Sequence, residues 1–377
     1  MNTSGALQYS GLYFLIFMLS LLFDAFHIMA PKKKRMYLFV TLGIFMTMSM
    51  FRASNVGNDT NDYIALYNQV ANQGIPYIKT SITEKGYLLY DYVIALIFNE
   101  YQYIFIFSSL FIYISLYHFL MKYCNSPGIF VCMFLGLNML DFFLSTQRQG
   151  IAIAIMLFAI DAAFEKKLGK FILLIVIAIQ FHYSSIIFFT VYPLINVNIS
   201  RKSIKVFLIG ATGFCMLFFN RLLSVLLMIF PKYSYYEGGA LFDGEPRLAI
   251  ILKVCVYSLI LIVSYLFVNS RNPEYKNKKD DKDVLQFNAF NILSLLNICL
   301  FLISSKATAL ARFCSIFNIY PVTNYSNEMC KTDRKTHCLS VIFTALPFYC
   351  YGLIIVLLKT PDWCTTFPFE FTKDFFR

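Results

Sequence analysis

The sequence predicts an all-α fold, a polytopic transmembrane helix bundle, and three observations carry that prediction. Of its 377 residues, 58% are hydrophobic and 14% charged, with a mean hydropathy of +0.63. A soluble domain carries about 25% charged residues, and a chain this apolar would leave surface in water that a bilayer removes. Apolar stretches of spanning length recur from end to end. Between them the basic residues gather in short runs: Lys32-Lys33-Lys34-Arg35, Lys166-Lys167, Arg201-Lys202-Ser203-Ile204-Lys205, Arg271 to Asp283, and Lys331 to Lys335. That is the positive-inside arrangement of membrane proteins.

The same placement excludes other classes. A net charge of +11 would suit nucleic acid, but these lysines interrupt apolar segments rather than line one soluble face, so no nucleic-acid partner is expected. Most of the ten cysteines lie inside apolar segments, among them Cys132, Cys215, Cys255, Cys299 and Cys350. No CxxC or Cys/His cluster appears, which speaks against a disulfide scaffold or a metal site. Walker, Rossmann, HExxH and GxSxG elements are missing too, so no cofactor is expected. The start does not read as a cleavable signal, because Lys32 to Arg35 follow the apolar run and no basic residue precedes it.

The expected spans run from Tyr9 to Ile28, Met36 to Phe51, Tyr103 to Met121, Ile129 to Leu144 and Ile151 to Phe164, then from Ser203 to Phe219, Leu248 to Val268, Val284 to Ile303 and Cys338 to Leu358. Gly86 to Phe98 reaches only about 20 Å at 1.5 Å per residue, so it reads as a re-entrant or interfacial helix on the outer side. Lys170 to Asn196 is broken by Gln180-Phe181-His182-Tyr183-Ser184-Ser185 and reads as two short helices turning at His182. With Ala307 to Asn324 added, the count is about 12 spans in one integral membrane domain over residues 1–377, both termini outside. The larger outer loops are 52–85 and 231–247, and 271–283 is an inner loop.

This topology brings the polar residues that the positive-inside rule does not explain to the outer face. In Arg52-Ala53-Ser54-Asn55-Val56-Gly57-Asn58-Asp59-Thr60-Asn61-Asp62-Tyr63, Gly57 permits a tight turn and Asp59-Thr60 suits either a helix cap or sugar hydroxyls. Arg148, in Thr146-Gln147-Arg148-Gln149-Gly150, falls at a break between apolar helices. There its planar fork suits a phosphate, although snorkelling to headgroups is the simpler use. His182 is a hydrogen-bonded turn residue or a base, and Glu84 caps the short helix or meets substrate. Arg312 is a second deep arginine. Asp24, His27, Asp161 and Lys253 read more simply as helix-pairing or snorkelling groups.

The ordered series Arg52, Gly57-Asn58-Asp59-Thr60 with Tyr63, Glu84-Lys85-Gly86-Tyr87, Arg148-Gln149 and Phe181-His182-Tyr183-Ser184 resembles the EpsG-like family of membrane polysaccharide polymerases. These are relatives in role of the Wzy O-antigen and capsule polymerases. The likeness is carried by Arg52 to Pro193 and thins beyond. The family arginine with an aromatic pair falls at Arg312, followed here by Phe313 and Phe317 before Tyr320.

The resemblance implies periplasmic glycosyl transfer between polyprenyl-diphosphate-linked saccharides in the bacterial inner membrane. A chain-length regulator and a flippase would be its protein partners. Arg148, with His182, Arg52 and Arg312, would hold diphosphate; Asp59, Glu84 or His182 would serve as base; Asn58, Thr60, Tyr63, Gln149 and Ser184 would grip substrate. Rival readings are a lipid-linked oligosaccharide flippase, expected to show two repeated halves and charges at several depths, and an O-antigen ligase.

Overall fold

The computed structural model describes residues 2–25, 31–197, 200–229, 248–271, 282–330, 334–358 and 366–373. They form eighteen α-helices: α1 (Thr3–Ala25), α2 (Pro31–Met50), α3 (Thr60–Gln73), α4 (Ile75–Thr80), α5 (Lys85–Ile97), α6 (Gln102–Tyr123), α7 (Pro127–Gly136), α8 (Met139–Ser145), α9 (Gln147–Phe164), α10 (Leu168–Phe181), α11 (Val191–Asn196), α12 (Arg201–Leu217), α13 (Phe219–Ile229), α14 (Leu248–Arg271), α15 (Lys282–Ser304), α16 (Ala311–Ser315), α17 (Ile319–Cys330) and α18 (Arg334–Leu357). Two 3-10 segments, Tyr183–Thr190 and Thr308–Leu310, and an antiparallel bridge between Arg52 and Phe371 complete the described secondary structure.

Among the described residues, six helices are long and apolar enough to cross a membrane, and up to eight if each of two bent pairs counts as one span. The chain is a multi-pass membrane protein, and large apolar side chains such as Phe14, Phe39, Phe207 and Leu259 lie exposed where acyl chains would meet them. The expected total of about 12 included several shorter pieces. Lys170 to Asn196 divides into α10, the 3-10 segment and α11, and a 14-residue α10 rises only about 21 Å. The stretch from Ile129 to Leu144 is not one straight helix either, because α7 and α8 meet at 63°. Between them Asn138 adopts a left-handed conformation, φ 56°, which interrupts the helical hydrogen-bond ladder. The short helix expected from Gly86 is α5, 13 residues long. The loop at 231–247, most of 271–283, His27 and the Asp24 side chain lie outside the described residues.

The chain divides into two compact units, residues 1–188 with 329–377, and residues 189–328. In the first, α18 packs on α1 and α7. The Tyr13 hydroxyl donates to the Ala345 carbonyl at 2.8 Å, and Gly136 lies so close to Phe348 that a Cβ there would meet its Cβ at 2.6 Å. α9 is buried along nearly its whole length against α6 and α10. Near its far end Asp161 joins α9 to α6 by meeting His118 at 3.0 Å and Lys122 at 2.9 Å, the helix-pairing role expected of it.

The second unit gathers α11, α12, α14 and α16 around α15. Asn291 and Asn297 of α15 accept from and donate to Asn324 and Asn318, at 3.0 and 3.2 Å. Lys253 is exposed, with its ammonium 5.9 Å from the Phe301 ring centre.

Candidate functional site

The first unit places most of the predicted polar residues around the start of α9. Gly57 takes φ 91°, where an added Cβ would meet the Leu144 carbonyl oxygen at 2.8 Å, so the Arg52 loop turns there and packs against the end of α8. The Asn58 amide donates to Ser145 Oγ at 3.1 Å, which ties the loop to the same junction. Thr146 then ends α8, and Arg148 is the second residue of α9.

Arg148 is held from two other elements. Its Nη1 lies 2.6 Å from Glu84 Oε2, and the guanidinium carbon stands 5.9 Å from the ring centres of both Tyr63 and Tyr87. Those rings are 5.8 Å apart and join α3 to α5. Burial pushes the Tyr63 phenol up to about 12. A quarter of the Arg148 side chain stays exposed, and its Nε has no hydrogen-bond partner among the described residues. The arginine therefore combines a charge partner with donor capacity that a phosphate oxygen could take.

Glu84 precedes α5 but does not cap it. No side-chain cap bond forms; instead Oε1 accepts the Tyr183 amide at 3.2 Å while Oε2 holds Arg148. The carboxylate thus links the short helix to the broken hairpin containing His182. There the Ser184 amide and hydroxyl approach His182 Nδ1 at 3.3 and 2.6 Å, and Gln149 Nε2 donates to the Ser184 hydroxyl at 3.4 Å. An amide can only donate, so Nδ1 accepts and the neutral ring carries its proton on Nε2. Gln149, Ser184 and His182 form one chain beside Arg148 in sequence, all buried.

Two expectations change with this geometry. Asp59 sits at the N-cap of α3 with φ −95° and ψ 6°, and its side chain makes no cap bond, so the capping role does not hold. The half-buried carboxylate instead lies close enough to Tyr63 to act on its phenol electrostatically. Arg52 is committed to partners within the protein. It is 1% exposed, donates to the Ser49 carbonyl at 2.8 Å, to Thr60 Oγ1 at 3.3 Å and to Gln147 Oε1 at 3.4 Å, and covers the Phe105 ring at 3.9 Å. Burial pulls the guanidinium down to about 10, so at neutral pH Arg52 is a buried cation that braces α2, α3, α6 and α9. Thr60, which also donates to the Val56 carbonyl, belongs to that brace.

Residues 366–373 complete the neighbourhood. The Ala53 amide donates to the Glu370 carbonyl at 3.0 Å, Thr372 donates to the Phe51 carbonyl at 2.9 Å, and Asn2 donates to the Phe367 carbonyl at 2.8 Å. The sequence reading missed this support, gave Tyr87 no role and missed Asp91. Asp91 sits one turn after Tyr87, fully buried, and burial pushes its carboxyl well above the usual carboxylate range. Arg312 is exposed on α16 in the second unit. Among the described residues no three His, Cys, Asp or Glu side chains gather as metal ligands would.

No curated protein and no solved structure matches the chain significantly. The EpsG family profile matches residues 34–371. That span takes in Arg52, Asp59, Glu84, Arg148, His182 and Arg312, and the chain belongs to the EpsG family.

Proposed function

We propose that the chain is a glycosyltransferase that polymerises polyprenyl-diphosphate-linked oligosaccharide repeat units into O-antigen or a related surface polysaccharide. It would do so at the periplasmic face of the bacterial inner membrane, with about 12 spans in the positive-inside orientation and both termini outside. The observation that carries this reading is the Arg148–Glu84 pair at 2.6 Å, beside the Gln149–Ser184–His182 chain, where the apolar helices break.

Transfer joins the acceptor oxygen to the anomeric carbon of the growing chain and breaks the bond from that carbon to the lipid diphosphate. The diphosphate departs as an anion, and the acceptor hydroxyl proton passes to a carboxylate. Arg148 suits the departing charge, since a guanidinium fork matches two phosphate oxygens and the flanking tyrosine rings hold it in place. A phosphate on Arg148 competes with Glu84, so donor binding frees the carboxylate to serve as base. His182, with Nδ1 already accepting, suits donation from Nε2 to a phosphate oxygen better than proton abstraction. Asp59, beside Tyr63, is the second candidate base.

Deletion of the gene tests the reading against its rivals through the length ladder of the surface polysaccharide. One repeat unit on the acceptor supports polymerase. No surface chain means a flippase or ligase. Complementation with Arg148→Ala at matched protein level should reproduce the single-unit ladder.

A further inference from the structure

Glu84 immediately precedes α5, and Tyr87 and Asp91 follow it three and seven residues on, one turn apart on the same side of the helix. The first is bonded to Arg148, but the other two are not spoken for. The Tyr87 hydroxyl and both Asp91 oxygens are fully buried and have no hydrogen-bond partner among the described residues. The two groups approach each other, one turn apart, without reaching hydrogen-bond geometry. Buried polar groups are nearly always partnered, so a carboxyl and a phenol left unpaired together work against the stability of this region. A chain selected only for packing would carry Phe and Leu at these positions.

We propose that Tyr87 and Asp91 form a saccharide-hydroxyl subsite that neighbours the Arg148 anion clamp. This rests on the polymerase reading and assigns the sugar-gripping groups within it. A sugar hydroxyl is both donor and acceptor, and a phenol beside a protonated carboxyl offers both functions without a second negative charge next to the phosphate. The rings of Tyr63 and Tyr87, 5.8 Å apart, add apolar faces for sugar C–H groups. Other titratable or charged groups near Asp91 are Tyr90 of α5, Tyr67 of α3 and Arg148. Of these, Arg148 carries the one positive charge that acts on its carboxyl. Thr60, once expected to grip sugar, is occupied by Arg52 and Val56. Because Glu84 immediately precedes α5, its displacement from Arg148 by phosphate loosens the end of the helix that covers the subsite.

The test is calorimetric titration of the detergent-solubilised full chain with two probes. One is inorganic pyrophosphate, and the other is the free repeat-unit oligosaccharide released by mild acid from the polyprenyl-linked pool of the producing cells. Wild type should bind both. Tyr87→Phe and Asp91→Leu should each weaken oligosaccharide binding about tenfold, as loss of a hydrogen bond or two would, while pyrophosphate affinity stays within about twofold. Unchanged oligosaccharide affinity in both variants overturns the subsite and leaves the Arg148 reading standing. Parallel loss of both probes also overturns it, because that marks a packing role. Should Asp91→Leu fail to fold, Tyr87→Phe decides alone, since it keeps the ring against Arg148. A wild-type chain that binds neither probe overturns the polymerase reading together with the subsite. Binding of oligosaccharide without pyrophosphate removes only the diphosphate clamp.

Discussion

The Glu84 carboxylate meets the Arg148 guanidinium at 2.6 Å, joining the residue before a short helix to the first turn of a buried one. The pair is a charge contact and a mechanical tie at once, because the other Glu84 oxygen holds the Tyr183 amide. Breaking it from either side therefore has two separable effects.

Arg148→Lys keeps the charge and loses the fork, so polymer per molecule should fall about as far as in Arg148→Ala, at least about a hundredfold. Arg148→Ala also strands a buried carboxylate. That costs up to about 3–5 kcal/mol for a fully buried pair, and less here because Arg148 is a quarter exposed. The double variant Arg148→Met with Glu84→Gln should recover the melting temperature and stay inactive. Full polymer length in Arg148→Lys at matched protein level would reduce the arginine to a surface charge.

Asp91→Asn gives a pH signature. The unfolded chain releases this proton near pH 4, whereas burial holds it on the folded chain to much higher pH. The stability associated with this group is therefore complete at acid pH and declines as pH rises toward the folded value. An amide has no such dependence. Asp91→Asn should melt above wild type at pH 7, and the gap should close toward pH 4. A gap that does not change with pH would mean Asp91 is not held as a neutral acid.

Arg52 should behave as a brace. Arg52→Ala leaves Gln147 and Thr60 without their donor and opens space over Phe105, so the melting temperature should drop sharply. Pyrophosphate affinity of the surviving folded fraction should match wild type. Loss of affinity at unchanged stability would instead make Arg52 a ligand group.

Asp59 separates chemistry from folding because its side chain caps nothing. The loss of about 1 kcal/mol that removing a cap brings is not expected in Asp59→Ala. Asp59→Asn and His182→Gln should then be compared for polymer length. Loss only in Asp59→Asn places the base there, whereas activity in both leaves Glu84.

The orientation follows from labelling the two ends of α9. A cysteine at exposed Asn58, near its start, should react with an impermeant reagent in intact cells, and one at exposed Lys170, past its end, should not. Equal reaction at both would sink the positive-inside assignment.

Local chemistry made part of this legible in advance. A glycine at Gly57 marks a turn, a 13-residue apolar stretch is too short to cross, and Gln180-Phe181-His182 breaks an apolar run; α5 and the α10 break fall within a residue or two of where those signals put them. What depends on distant partners was not legible. Nothing around Glu84 announces Arg148, 64 residues away. Arg52 looks equally suited to phosphate until Ser49, Phe105 and Gln147 close around it. Asp91 was hidden because one acid among Tyr87, Tyr90 and Ile94 does not disturb an apolar pattern. The bend between α7 and α8 turns on Asn138, a residue that straight helices also tolerate.

The discontinuity of the first unit sets a schedule for its manufacture. Its two segments are separated by the whole of the second unit, and α18 is what fills the seam between α1 and α7. As translation proceeds, Tyr9, Tyr13 and Gly136 wait in the bilayer with that seam open while residues 189–328 are inserted. The Arg52 loop waits longer still, since its partners in residues 366–373 leave the ribosome after α18. A membrane protease or insertase chaperone that recognises the open α1–α7 face would therefore act as a checkpoint on nascent chains. Slowing translation just upstream of Arg334 should lengthen that exposure and lower the yield without altering a single residue of the finished molecule.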